Sequence, residues 1–181
     1  FLVSHGHGDH VGDVIETAKA TGLPVYTMVE LGGWLGTKGV ENITAFNKGG
    51  TVAIGDVKVT LVHATHSSSN PDGGYAGGEA GFMIEGEGHT IYFSGDTDVM
   101  ADMKIFNDLH APDIGILCAG GFYTMDMRRA AYAAKTFFDF KTLIPCHYKT
   151  FPILEQSAQE LIDALPDVNV VEPEVLTAIE I

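Results

Sequence analysis

The stretch FLVSHGHGDHVGD, residues 1–13, decides the fold of this chain of 181 residues. It places His5, His7, Asp9 and His10 within six residues. The glycines between them let the backbone turn tightly, so that alternate side chains can converge. Imidazole nitrogens and carboxylate oxygens together suit Zn²⁺, Fe²⁺ or Mn²⁺. The stretch therefore predicts a metal centre in preference to a solvated polar loop.

Further ligands for such a centre must come from distant parts of the chain. Three candidates each follow an apolar, strand-like run: His66 in LVHATHSS, Asp96 in IYFSGDT and His147 in LIPCHYKTFP. Loops at strand ends commonly carry the functional residues of a protein, because the sheet fixes their positions. Any one of these residues alone would be unremarkable, but with the opening stretch they are predicted to complete the metal centre.

The pattern of predicted elements places the chain in the α/β class. The first half contains two hairpins, TVAIGDVKVTLVHA and AGFMIEGEGHTIYFSGD, whose apolar residues alternate on both sides of a turn. The second half alternates helices and strands, as in MDMRRAAYAAKTFFDF followed by TLIPCH. This alternation predicts a sheet with helices on its outer face.

Composition limits the possible partners and location. The hydrophobic fraction of 45% and charged fraction of 19% are typical of a globular protein. The net charge of −14 disfavours nucleic acid as a partner, and no apolar run approaches the roughly 18 residues of a membrane span. No signal peptide is evident. We therefore expect a cytoplasmic protein in which Cys118 and Cys146 are reduced, buried thiols, with a single disulfide as the alternative.

The ordered set of motifs resembles the metallo-β-lactamase fold superfamily along essentially the whole chain. Within it, SHGHGDHVGD, HATHSSS, YFSGDTDV and IPCHYKTFP are similar to metal-dependent hydrolases grouped with the ascorbate-6-phosphate lactonase-like proteins. The resemblance implies an αβ/βα sandwich, in which two mixed sheets face each other with helices outside. It also implies two sets of ligands and one bridging carboxylate. One metal takes His5, His7 and His66, the second takes Asp9, His10 and His147, and Asp96 bridges them.

The resemblance implies a hydrolase that binds two divalent transition-metal ions, zinc foremost and manganese or iron otherwise. A metal-bound hydroxide would attack a small-molecule substrate, namely an ester, a lactone or a phosphoester. Asp96 would orient the hydroxide, and Asp9 would accept its proton. Two alternatives remain open at this point. One is a diiron oxidoreductase on the same fold, which usually has a carboxylate at the position of His7. The other is a non-catalytic subunit or assembly module.

The chain departs from the family pattern at its first residue. Members normally have several strands before the His-rich motif, whereas here the motif begins at His5. Residues 1–181 are therefore expected to form a single, N-terminally incomplete hydrolase domain with an exposed sheet edge. We expect the chain to form a homo-oligomer, or to bind a partner chain that supplies the missing strands.

Residues around the predicted site receive separate interpretations. The polar loop from Ser67 to Gly78 is predicted to form a wall of the substrate site. Lys149 is predicted either to meet an anionic substrate or to be solvated, and Thr124 to cap a helix. Of the remaining histidines, His63 is predicted to be structural or to contact a ligand residue, and His89 and His110 are predicted to be solvated.

Overall fold

A computed structural model describes residues 1–179, whose strands form two sheets. The smaller sheet has three parallel strands in the order β1-β2-β3. These strands are β1 (Leu2–Val3), β2 (Val25–Met28) and β3 (Ile43–Phe46). The connecting helices are α1 (Gly8–Val11), α2 (Val14–Thr21) and α3 (Val29–Thr37). Strand β1 ends directly before the His-rich stretch, so this sheet positions the first group of candidate ligands.

The larger sheet has seven strands in the order β10-β9-β8-β7-β6-β5-β4. Its antiparallel half consists of β4 (Thr51–Ile54), β5 (Val57–His63), β6 (Ala80–Gly86) and β7 (His89–Phe93). Its parallel half continues from β7 through β8 (Ile114–Cys118), β9 (Thr142–Cys146) and β10 (Asn169–Val170). The helices of the second half are α4 (Asp102–His110), α5 (Met127–Phe137) and α6 (Gln159–Ala164).

Two apolar clusters hold the layers together. One lies between the sheets and includes Val25, Leu61 and Phe82, and the other includes Tyr92 and Leu143 and lies where helices α4 to α6 cover the large sheet. The predicted α/β class and layered architecture are thereby confirmed. Gly12, with a positive φ of 44°, separates α1 from α2.

One face of the large sheet is only partly covered. Leu61, Phe82, Phe93, Ile116 and Ile144 form a row across five strands, because they occupy matching register positions. Leu61 and Phe82 are fully buried, whereas the other three are partly exposed. The small sheet therefore covers the side of β5 and β6 and leaves apolar side chains accessible on β7 to β9.

The structure also bears on the predicted state of the cysteines and on the prediction that no segment spans a membrane. Cys118 and Cys146 are free thiols, the first buried and the second partly buried, so the disulfide alternative is wrong. No helix within residues 1–179 has the length and apolar character that crossing a membrane requires.

Candidate metal centre

All seven predicted ligands converge where strands of both sheets end. The small sheet contributes His5, His7, Asp9 and His10 from the segment after β1. The large sheet contributes three residues from the segments after β5, β7 and β9. These are His66, Asp96 and His147. The ends of four strands thus bring five imidazoles and two carboxylates together.

The first group contains three imidazoles. His5 Nε2 lies 3.0 Å from His7 Nδ1, and the ring centroids of His7 and His66 are 5.1 Å apart. One ligand atom from each of the three residues lies within 4.8 Å of the others. A tetrahedral cation such as Zn²⁺ takes three protein ligands of this kind and leaves one position open.

The second group combines two imidazoles with a carboxylate. Asp9 Oδ2 lies 3.5 Å from His147 Nε2 and 3.7 Å from His10 Nε2. The Asp9 side chain is 59% exposed, whereas the two imidazoles are each 15% exposed. This group could therefore bind a second cation close to the protein surface.

Asp96 lies between the two groups. Its Oδ2 is 3.3 Å from His10 Nε2, 3.3 Å from His147 Nε2 and 3.5 Å from His66 Nε2. Its other oxygen, Oδ1, is buried and has no hydrogen-bond partner among residues 1–179. A buried carboxylate oxygen without a partner is costly. Cations beside Asp96 would remove that cost, so the donor set fits metal binding.

The surroundings favour protonation states that suit ligation. Burial, together with repulsion from His10, lowers the pKa of His5 to about 3, so this imidazole is neutral near pH 7. Burial alone would raise the pKa of Asp96, but its hydrogen bond and charge interaction with His10 outweigh burial and lower that pKa. Asp96 is therefore ionised and His5 carries a free lone pair.

Two glycines allow the close approaches that assemble the site. A Cβ on Gly6 would lie 2.5 Å from the Cβ of Ala76, so a side chain there would push the 66–79 loop away. A Cβ on Gly120 would lie 1.9 Å from the carbonyl oxygen of His147. His147 itself has a φ of 60°, which is uncommon for a residue with a side chain and typical of functional sites.

The predicted wall, Ser67 to Gly78, is fixed beside the first group. Ser68 Oγ accepts a hydrogen bond from the backbone N–H of Gly6 (3.1 Å). In the middle of the loop, Asp72 accepts hydrogen bonds from Trp34 Nε1 and Lys38 Nζ of the α3 region, both at 2.7 Å. The loop therefore lies along one side of the site in a defined conformation.

The structure also tests the predictions for three side chains that lie outside the candidate metal centre. Lys149 binds Glu172 (Nζ to Oε2, 2.6 Å), and its side chain is 51% exposed, in line with the predicted solvation. His110 is partly buried and pairs with Glu85, contrary to its predicted solvation. Thr124 does not cap α5, because the side chain of Asp126 accepts the N-terminal hydrogen bond.

The other two histidines keep peripheral roles. His63 pairs with Asp102 (2.9 Å), and His89 pairs with Asp113 (2.8 Å), both at exposed positions. Sequence reasoning missed Glu79, whose carboxylate accepts the backbone N–H of His66 at 3.0 Å. Its position near the end of the Gly-rich loop was the only available signal.

A cavity of about 350 Å³ adjoins the second group. Its lining includes His10, Asp96 and His147 together with Phe93 and Phe151. Phe93 belongs to the partly covered face of the large sheet. The cavity therefore connects the candidate metal centre with that apolar face.

Comparisons with known proteins concern the family and the fold of the chain. Residues 1–148 match the family described as the beta-lactamase superfamily domain. The chain is 63% identical to a UPF0173 metal-dependent hydrolase of Dinoroseobacter shibae, over 99% of this chain and 80% of that protein. It is 57% identical to the corresponding Paracoccus denitrificans protein, over 98% of this chain and 79% of that one.

A solved structure shows the same fold. Igni18, a metallo hydrolase from Ignicoccus hospitalis, superposes with a TM-score of 0.84 at 30% sequence identity. The superposition covers 96% of this chain and 75% of Igni18.

Proposed function

Since the chain belongs to the metallo-β-lactamase superfamily and is a metal-dependent hydrolase, we propose that it binds two divalent cations and cleaves a small ester, lactone or phosphoester. The proposal rests on the position of the Asp96 carboxylate. This buried carboxylate is directed at imidazoles of both groups while one of its oxygens has no partner among the described residues. Zinc is the expected cation, since imidazole and carboxylate ligands suit it, and manganese or iron could replace it.

The proposed ligand sets follow the two groups. His5, His7 and His66 would bind one cation, Asp9, His10 and His147 would bind the other, and Asp96 would contact both. Two cations held close together lower the pKa of a shared water towards neutrality and polarise the oxygen of the scissile group. Asp96, 3% exposed, would orient the attacking water from the buried side. Asp9, at the exposed side, would accept its proton.

The test combines metal content with hydrolysis. The chain is loaded with Zn²⁺, Mn²⁺ or Fe²⁺, and elemental analysis counts the bound ions. Each form is then assayed with 4-nitrophenyl acetate, a γ-lactone and bis(4-nitrophenyl) phosphate, which represent the three substrate classes. Two bound ions and hydrolysis of at least one class are expected. Two ions without any hydrolysis would contradict the proposed substrate range, and fewer than two would contradict the proposed site.

We further propose that another polypeptide, either a second copy or a partner chain, covers the partly exposed face of β7 to β9. The support is the row of apolar side chains Phe93, Ile116 and Ile144, which the small sheet leaves accessible. Contiguous apolar surface favours association. We therefore expect the purified chain of 181 residues to sediment as a dimer or larger species.

Substitution on the same face sharpens this prediction. Ile144→Glu places a charge on the accessible face and is expected to shift the protein towards the monomer. Ile105→Glu is the matched control, because Ile105 is an exposed isoleucine on helix α4, away from that face. A wild-type protein that sediments as a stable monomer without additional polypeptide would rule the association out.

A further inference from the structure

Ser4 lies between the last residue of β1 and the first candidate ligand, and the residue is 4% exposed. Its carbonyl oxygen accepts a hydrogen bond from the backbone N–H of Ala80, which fixes this residue against the large sheet (3.1 Å). The Ser4 backbone is therefore anchored to both sheets, and the direction of its side chain is restricted.

The hydroxyl of Ser4 lies between imidazoles of the two groups. Ser4 Oγ is 3.1 Å from His5 Nδ1 and 3.2 Å from His10 Nδ1. The ring centroids of these histidines are 4.0 Å apart. Within residues 1–179, Ser4 Oγ is the only hydrogen-bond partner found for either Nδ1 atom. One oxygen atom thus contacts the Nδ1 atom of one candidate ligand from each group.

The hydrogen-bond directions follow from the orientation of the rings. His5 and His10 both direct Nε2 towards Asp96, so Nε2 is the atom that would bind a cation. A neutral imidazole that binds through Nε2 carries its proton on Nδ1. Each Nδ1–H must then donate, and a hydroxyl oxygen has two lone pairs that can accept both bonds.

We infer that Ser4 is a positioning residue, whose hydroxyl oxygen accepts hydrogen bonds from His5 and His10 and so orients one ligand of each cation. This inference rests on the proposed two-cation site. Acceptors behind metal-bound histidines fix the tautomer and the ring orientation, and their loss typically lowers metal affinity about 10- to 100-fold. Because one oxygen serves both groups, its removal weakens both cation sites together.

The test uses Ser4→Ala, which removes the acceptor, and Ser4→Thr, which retains it. Thr27→Val is the matched control, because Thr27 is a buried residue of the neighbouring strand β2 whose hydroxyl donates to the carbonyl of Val3 without contacting an imidazole. Zn²⁺ is titrated into each metal-free protein and followed by calorimetry. For Ser4→Ala we expect both Zn²⁺ dissociation constants to rise about 10- to 100-fold. For Thr27→Val we expect both constants to equal those of the wild type.

A second measurement does not depend on affinity. In the zinc-loaded wild type, the Nδ1–H protons of His5 and His10 are expected to exchange slowly with water by proton NMR, and both are expected to exchange faster in Ser4→Ala. Unchanged dissociation constants, or a change at one site only, would overturn the inference and leave the proposed function intact. Wild-type protein that binds two ions but hydrolyses nothing would contradict the proposed function and leave Ser4 in its role. Wild-type protein that binds fewer than two ions would overturn both.

Discussion

Asp96→Asn is expected to lower turnover at least about 100-fold and to raise KM much less. The substitution preserves the shape of the side chain but removes its negative charge. Cations on either side would then repel each other with less compensation, and the attacking water would lose its orienting group. A loss confined to turnover indicates an interaction made in the transition state. We also expect Asp96→Asn to bind the second ion more weakly, as elemental analysis of the dialysed protein would measure.

Asp98→Asn is the matched control for this experiment. Asp98 lies two residues further along the same loop, and its carboxylate accepts the backbone N–H of Val99 on the exposed surface. It should therefore tolerate asparagine without loss of metal or turnover. If Asp96→Asn retained two ions and near-normal turnover, its carboxylate would serve only to stabilise the turn after β7, and the bridging role would be refuted.

His7→Ala is expected to remove one ion and nearly all hydrolytic activity. His7 Nδ1 lies 3.0 Å from His5 Nε2, and alanine would leave the first group with two imidazoles. The first cation would then keep two imidazoles and a carboxylate shared with the second cation, one ligand fewer than the proposed set. Elemental analysis should give one ion per chain, and the ester assay should give a rate close to that of the metal-free protein.

His89→Ala controls for the loss of an imidazole in general. His89 pairs with Asp113 on the surface at the start of β7, well separated in the sheet from the strand ends that carry the ligands. This variant should keep both ions and full activity. If His7→Ala instead kept both ions, His7 would not be a ligand, and the proposed ligand set of the first cation would be wrong.

The fold class and the convergence of the site could be predicted from the sequence because both depend on local patterns. Alternating apolar residues define the hairpins, and each distant candidate ligand follows an apolar run, so sheet formation alone brings His66, Asp96 and His147 to one edge. Their roles as ligands stay predictions. The residues of the opening stretch converge because local turns place them close together, and local turns can be predicted from the sequence.

The features that sequence reasoning missed depend on contacts between distant residues. Strand β3 has only four residues, too few for an alternating pattern to identify it, and it forms because β2 offers it a partner in register. Lys149 is predictable as a cation, but its pairing with Glu172 depends on how the segment after β10 returns towards β9. The role of Ser4 depends on two hydrogen-bond distances, and serine before a histidine carries no such signal by itself.

The arrangement of the ligands also has a consequence for how long the protein survives in a cell. His5 to His10 follow the small sheet, whereas His66, Asp96 and His147 follow the large one, so cations held by both proposed sets would join the two layers. Binding at 100 times the dissociation constant stabilises a folded protein by about 2.7 kcal/mol. Metal starvation would withdraw that support and expose the chain to proteolysis. The abundance of the protein, and not only its activity, would then follow the metal supply of the cell.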